Sequence, residues 1–126
     1  MKIDRIDHMV LTVANMAATI EFYTEILGME LVVFGDNRKA LSFGRQKINL
    51  HPKGKEFEPK ASAPTCGSAD ICLISTTAIE EVKAELISKG VKIIEGIVER
   101  TGATGKIRSL YLRDPDGNLI EISNYA

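Results

Sequence analysis

The chain has two histidines, His8 and His51, and both fall in β-branched, apolar stretches that read as strands. A third residue stands out by context. Glu121 interrupts the apolar run Leu119-Ile120-Glu121-Ile122, where a carboxylate costs on the order of several kcal/mol unless it is paired or bound to a cation. Asp70 stands just before a similar run, Ile71-Cys72-Leu73-Ile74. Two imidazoles with one or two carboxylates suit a divalent transition metal that keeps positions open for substrate. His8, His51 and Glu121 are the expected ligands, with Asp70 as a candidate fourth. The competing reading leaves His51 at a linker edge and Asp70 in solvent. The four positions form no local motif, so the fold must bring them together.

The elements that carry them occur twice. Ile6–Val13 reads as a strand, and Asn15 is a natural N-cap for a helix whose apolar stripe is Met16, Ile20, Tyr23 and Leu27. Gly28 supplies its stop. Three short strands follow at Glu30–Phe34, Ala40–Phe43 and Lys47–His51, separated by Gly35-Asp36-Asn37 and Gly44-Arg45. A linker of about 52–67 holds three of the four prolines. The order then repeats: a strand over Ala69–Ser75, a capping box from Thr77 and Glu80, a stripe of Ile79, Val82 and Leu86, and a stop at Gly90. Strands are expected at Val91–Ile94, Ile107–Arg113 and Asn118–Ser123, with Cys72 in the core.

Gly28 and Gly90 lie 62 positions apart, and the same step carries His8 onto Asp70. Applied to His51 it falls eight residues short of Glu121, and the loop Glu99–Gly105 is the natural place for an insertion. That loop reads as a lid over a pocket or as a plain connection. The fold expected is α+β: two βαβββ modules, about 3–51 and about 68–126, forming a curved eight-stranded mixed sheet around a central pocket, helices outside. Neither module covers both faces of its sheet alone. On this plan the first and last strands of each module line the pocket, which is where the four candidate ligands fall.

Bulk properties narrow the partners. At 126 residues and a net charge of −1, the chain fits one domain and lacks the basic excess of a nucleic-acid binder. No run approaches the roughly 20 apolar residues of a membrane helix, and the opening Met1-Lys2-Ile3-Asp4-Arg5 lacks a signal peptide's apolar stretch. Two cysteines, not in CxxC spacing, make no disulfide framework. The expectation is a cytoplasmic protein with a small-molecule substrate, no nucleic acid and no membrane.

Three stretches carry a family likeness: the Asp7-His8 opening strand, Phe22-Tyr23-x-x-Ile26-Leu27-Gly28-Met29-Glu30-Leu31, and Asp114-Pro115-Asp116-Gly117-Asn118-Leu119-Ile120-Glu121-Ile122. In these the chain resembles the vicinal-oxygen-chelate superfamily of glyoxalases, bleomycin-resistance proteins and extradiol dioxygenases. The resemblance implies His8 and Glu121 as metal ligands. It departs at Asp70, where the family usually has a histidine; His51, near a position that glyoxalase-like members fill with a carboxylate, is then the residue to complete the site. Ser109 and Tyr111 share one face of their strand by alternation, and Ser-Leu-Tyr before the Asp-Pro turn is similar to fosfomycin-transferase sequences, which implies that both contact substrate. The metal would be one divalent ion, iron permitting oxygen chemistry and zinc, nickel or manganese favouring Lewis-acid chemistry. The implied activity is that of a metal-dependent lyase, isomerase or dioxygenase on a small oxygen-chelating substrate, in a homodimer. The alternative is a metal-free binding or resistance protein of the bleomycin-binding type.

Overall fold

The computed structural model describes residues 1–126. The chain divides into two compact modules, Met1–Gly67 and Ser68–Ala126. Module one contains β1 (His8–Val13), α1 (Met16–Glu21) running into a π-helical turn (Phe22–Ile26), β2 (Glu30–Phe34), β3 (Arg38–Phe43) and β4 (Gln46–Pro52). Module two contains β5 (Asp70–Ile74), α2 (Ile79–Ser88), β6 (Glu95–Thr101), β7 (Lys106–Arg113) and β8 (Leu119–Tyr125). The eight strands form two four-stranded mixed sheets, ordered β1-β4-β3-β2 and β5-β8-β7-β6. In each, the first strand runs parallel to the last and the other pairs are antiparallel. No helix is long and apolar enough to cross a membrane.

Alternation along the strands divides each sheet into an apolar and a polar face. In module one, Leu11, Val13, Leu41, Ile48 and Leu50 are buried, as are Phe22, Tyr23 and Met29 around the helix. The expected helical stripe is only partly right. Tyr23 is fully buried, but Met16, Ile20 and Leu27 are half-exposed, and Thr19 and Phe22 take the inward positions. The π turn, with Leu27 N–H bonded to Phe22 O at 3.3 Å, inserts one residue per turn and shifts the stripe. Asn15 caps α1 as expected, its Oδ1 accepting from Ala18 N at 3.0 Å. In module two, Ile79, Val82 and Leu86 of α2 are buried with Leu110, Leu112, Ile120 and Ile122. Gly28 and Gly90 both lie at φ +74°, the left-handed conformation that ends a helix without a Cβ clash.

Four expectations fail in module two. The β-branched run Val91–Ile94 is not a strand; Val91 N–H is taken by Leu86 O at the end of α2, and the ladder of β6 starts at Glu95. Residues 99–105 are not one loop: Glu99, Arg100 and Thr101 complete β6, and 102–105 make a hairpin closed by Gly102 N–H to Gly105 O at 2.7 Å. It connects two paired strands, β6 and β7. Cys72 is exposed rather than in the core, because it shares the polar face with Asp70.

The Thr77–Glu80 capping box does not form either. Glu80 pairs instead with Arg108 at 2.6 Å, and no residue at the helix start caps it with its side chain. The role passes to Asn124 on β8. Its Oδ1 accepts from Ile79 N at 2.6 Å, while Nδ2 donates to Ser75 O and Thr77 O at 3.0 Å each. Losing a helix cap costs about 1 kcal/mol and the two further bonds add to it. Asn124→Ala is therefore expected to lower stability by about 1–3 kcal/mol, against less than about 0.5 kcal/mol for Thr77→Ala, measured by urea unfolding; equal losses would return the cap to Thr77.

Candidate functional site

The polar face of module one carries His8, Val10 and Thr12 on β1 and, opposite them in register, Lys47, Asn49 and His51 on β4. His8 opens the strand. Its Nδ1 lies 2.8 Å from Asp7 Oδ2, and that contact holds the Asp7 carboxyl below the usual range. A histidine whose Nδ1–H is fixed by a carboxylate keeps Nε2 as the unprotonated ring nitrogen, the arrangement found in metal-ligating imidazoles. His51 is placed differently. The register sets it four residues further along the same face, roughly 13 Å from His8 in strand spacing, and the structure does not bring the two imidazoles together. His51 is 3% exposed. Its ring stands edge-on to Phe57 at 5.3 Å between centroids. Nε2 lies 3.3 Å from Arg38 Nη2, and because guanidinium only donates, Nε2 is the acceptor. Burial, and next the Arg38 charge, push the His51 pKa below its ordinary value.

On the polar face of module two, Cys72 stands opposite Glu121, and Tyr111 is Glu121's partner on the other side. Asp70 is exposed at the start of β5, paired in register with Leu119. Glu121 is half-exposed and in no ion pair; Ser123 Oγ lies 3.4 Å from its Oε2. Ser109 is fully buried, and its hydroxyl lies 2.7 Å from that of Ser123. Tyr111 OH accepts from Arg100 Nε at 3.1 Å, with the guanidinium 5.6 Å from the ring centroid. Burial raises the Tyr111 pKa, Arg100 opposes it and Glu121 adds to it. Burial likewise raises the Cys72 thiol. Ser109 and Tyr111 thus share a face with Glu121, as alternation requires.

The register corrects the repeat. His8 is paired with Lys47 and Asp70 with Leu119. Two residues on, Val10 is paired with Asn49 and Cys72 with Glu121. The module-one counterpart of Glu121 is therefore Asn49, and that of His51 is Ser123. Asn49 and Glu121 lie 72 positions apart, ten beyond the helix-stop offset of 62. The extra residues are spread over the lead into β6, longer β6 and β7 strands and the Asp114–Asn118 turn, not one insertion. Asn49 is the residue that sequence reasoning missed. It is 6% exposed, and its Oδ1 is buried without a hydrogen-bond partner. Its signal was present: Ile48-Asn49-Leu50 breaks an apolar run as Ile120-Glu121-Ile122 does.

The Asp-Pro-Asp-Gly-Asn turn sets where β8 begins. Asp114 Oδ1 accepts from the backbone N–H of Asp116 and of Asn118, at 2.9 Å each, and Oδ2 accepts from Asn118 Nδ2 at 2.7 Å. Asn118 Oδ1 in turn accepts from Ala69 N at 2.9 Å, just before β5. The turn is thus locked to the opening of β5, and Glu121 follows three residues later opposite Cys72.

Comparison with known proteins agrees with the fold. The sequence matches Glyoxalase/Bleomycin resistance protein/Dioxygenase superfamily over residues 5–122. The chain belongs to that superfamily. It is 63% identical to Virulence protein STM3117 of Salmonella typhimurium over 126 residues, all of this chain and 88% of that protein. The crystal structure of that relative superposes with a TM-score of 0.99, covering 100% of both chains. The chain is 55% identical over 120 residues to Glyoxalase domain-containing protein RDO1 of Mycosarcoma maydis, covering 95% of this chain and 68% of that one. A more distant relative is Metallothiol transferase FosB of Shouchella clausii, 26% identical over 122 residues, covering 95% of this chain and 80% of that one.

Two outcomes follow. A histidine whose folded pKa is depressed binds its proton more readily in the unfolded chain, so its contribution to stability is full above the unfolded pKa of about 6.5 and is lost as pH falls through and below it. His51→Gln should therefore lose less stability than the wild type between pH 7.5 and pH 5 (values of about this span), read as the difference in Tm; identical slopes would place a solvated imidazole here. Asn49→Leu removes an acceptor whose lack of a partner costs about 1–3 kcal/mol, and is expected to match or exceed wild-type stability in urea unfolding. A loss above about 2 kcal/mol would mean the carboxamide serves the fold.

Proposed function

We propose that this chain is a metal-dependent enzyme of the glyoxalase/dioxygenase type, acting on a small substrate that offers oxygen atoms to the metal. The observation that carries this reading is the Asp7–His8 pair: a carboxylate fixes Nδ1 at 2.8 Å and leaves Nε2 as the nitrogen donor. Glu121 supports it from module two, as a carboxylate set in an apolar strand with polar neighbours and no cation in an ion pair. No three His, Cys, Asp or Glu side chains converge into one cluster, so the protein donors proposed are few: His8 and Glu121, with Asn49 Oδ1 as a further oxygen donor. A divalent ion held by such groups would polarise a substrate oxygen and stabilise the charge that develops on it. The names Metallothiol transferase and Glyoxalase domain-containing protein favour the same class.

The chain's own polar groups would handle the substrate. Arg100 donates to the Tyr111 oxygen, which leaves the phenolic O–H to donate elsewhere. The paired Ser109 and Ser123 hydroxyls hold the floor between β7 and β8. The partners proposed are a small-molecule substrate and a second copy of this chain. Exposed apolar residues Leu31, Val32 and Val33 on edge strand β2 support the second, since an uncovered apolar edge is a pairing surface.

Metal content measured on protein reconstituted with iron, zinc, nickel or manganese tests the reading. Wild type is expected to retain one divalent ion, with loss in both His8→Ala and Glu121→Ala. Asp7→Asn should weaken binding about 10–100-fold without abolishing it. A wild-type protein that takes up none of the four ions, or whose uptake is indifferent to all three substitutions, overturns it.

A further inference from the structure

Module one contains a cavity of about 460 Å³ that includes neither His8 nor Asn49. That volume is within the range of small-molecule sites, about 300–1,000 Å³. It lies where the β2–β3 turn and the segment after β4 meet the strand ends. Met16, Leu50 and Phe57 give it apolar walls; Arg38, Lys39 and Lys55 bring three positive charges and Asp36 one negative.

The state of Arg38 gives the cavity its chemistry. The guanidinium lies 4.5 Å from the Phe57 ring centroid and 5.1 Å from that of Phe34, and Nη2 rests on the neutral His51 acceptor. These contacts fix the planar fork without neutralising it. Arg38, Lys39 and Lys55 are absent from every ion pair of the structure. A pre-positioned guanidinium with no carboxylate lacks its best bidentate acceptor. The single carboxylate of Asp36 raises the cost of a second negative charge on any occupant. An apolar wall rewards a body larger than an inorganic ion.

We propose that this cavity is a second binding site, distinct from the residues assigned to the metal, and that it takes a small monocarboxylate with an apolar or aromatic body. The carboxylate lies against Arg38, with Lys39 and Lys55 adding charge, and the body packs on Phe57, Leu50 and Met16.

The test is a titration of the full chain followed by backbone-amide NMR, with sodium benzoate, benzyl alcohol and inorganic phosphate as probes. Benzoate is expected to shift the amides of Asp36, Asn37, Lys39 and Lys55 saturably in the low-millimolar range. Benzyl alcohol and phosphate should each bind at least about tenfold more weakly, a difference of about 1.4 kcal/mol. Arg38→Gln should weaken benzoate by a similar factor and Arg38→Lys by less, since lysine keeps the charge and loses the fork. Lys55 is exposed, so Lys55→Gln offers a variant that leaves the fold intact and should weaken benzoate severalfold. His8→Ala and Glu121→Ala should leave benzoate binding unchanged. Loss of metal in those variants with benzoate retained separates the two sites. Absence of saturable shifts, binding of alcohol or phosphate as tight as benzoate, or indifference to both Arg38→Gln and Lys55→Gln overturns the proposal. So does loss of benzoate binding in Glu121→Ala.

Discussion

Each module has a four-stranded sheet and a single helix, and one helix covers one face. That constraint orders the rest of the structure. The period-2 alternation of every strand sends Leu11, Leu41, Ile48 and Leu50 into one core, and Leu110, Leu112, Ile120 and Ile122 into the other. The residues between them go to the opposite face because the pleat leaves no other choice. His8, Asn49, His51, Cys72, Ser109, Tyr111 and Glu121 all share that fate. A strand slip of one residue would exchange core and site together, so the packing that makes each module stable also aims its chemistry.

The two faces started from one plan and hold opposite chemistry. At the opening of the first strand, module one has a histidine braced by Asp7 and module two an exposed aspartate. On the last strand, a carboxamide in one corresponds to a carboxylate in the other, and His51 corresponds to Ser123. Module one adds Arg38 and Lys47, both set over the Phe34 ring; module two adds Glu121 and Asp70. The repeat has therefore diverged in chemistry: one copy carries a nitrogen donor and cations on its polar face, the other carboxylates.

What could be read from the sequence was what local physics decides. The glycine stops and the first residues of β1 and β5 obey the 62-residue offset because each is fixed by a neighbouring helix end or strand start. The last strands do not, because connection lengths between β2 and β4 and between β6 and β8 differ, and only the ladder fixes which residues face each other. Sequence position alone therefore matches Glu121 to His51, whereas the ladder matches it to Asn49. Strand β6 is hard to read from sequence because it is an edge strand, and its Glu95, Glu99 and Arg100, which pair along it and with Lys106 of β7, read as loop polarity. The cap on α2 is invisible to local sequence because Asn124 reaches it from 45 residues away. Cys72 reads as a core residue because its neighbours in sequence are apolar, although its neighbours in space are Ser123 and Glu121.

Asn49 shows how stability and function separate within one strand. Its neighbours Ile48 and Leu50 are each 1% exposed and belong to the core. Asn49 is nearly as buried on the other face, yet its Oδ1 has no partner. A leucine would fit the alternation of a buried face without that penalty, so the fold alone gives no reason for a carboxamide. Buried polar groups left open in this way concentrate where a ligand completes them. That Asn49 is also the register counterpart of Glu121 joins two independent observations, one of energy and one of geometry, at a single residue. The open acceptor puts an unsatisfied oxygen on the last strand of module one, on the same face as the His8 imidazole of its first strand.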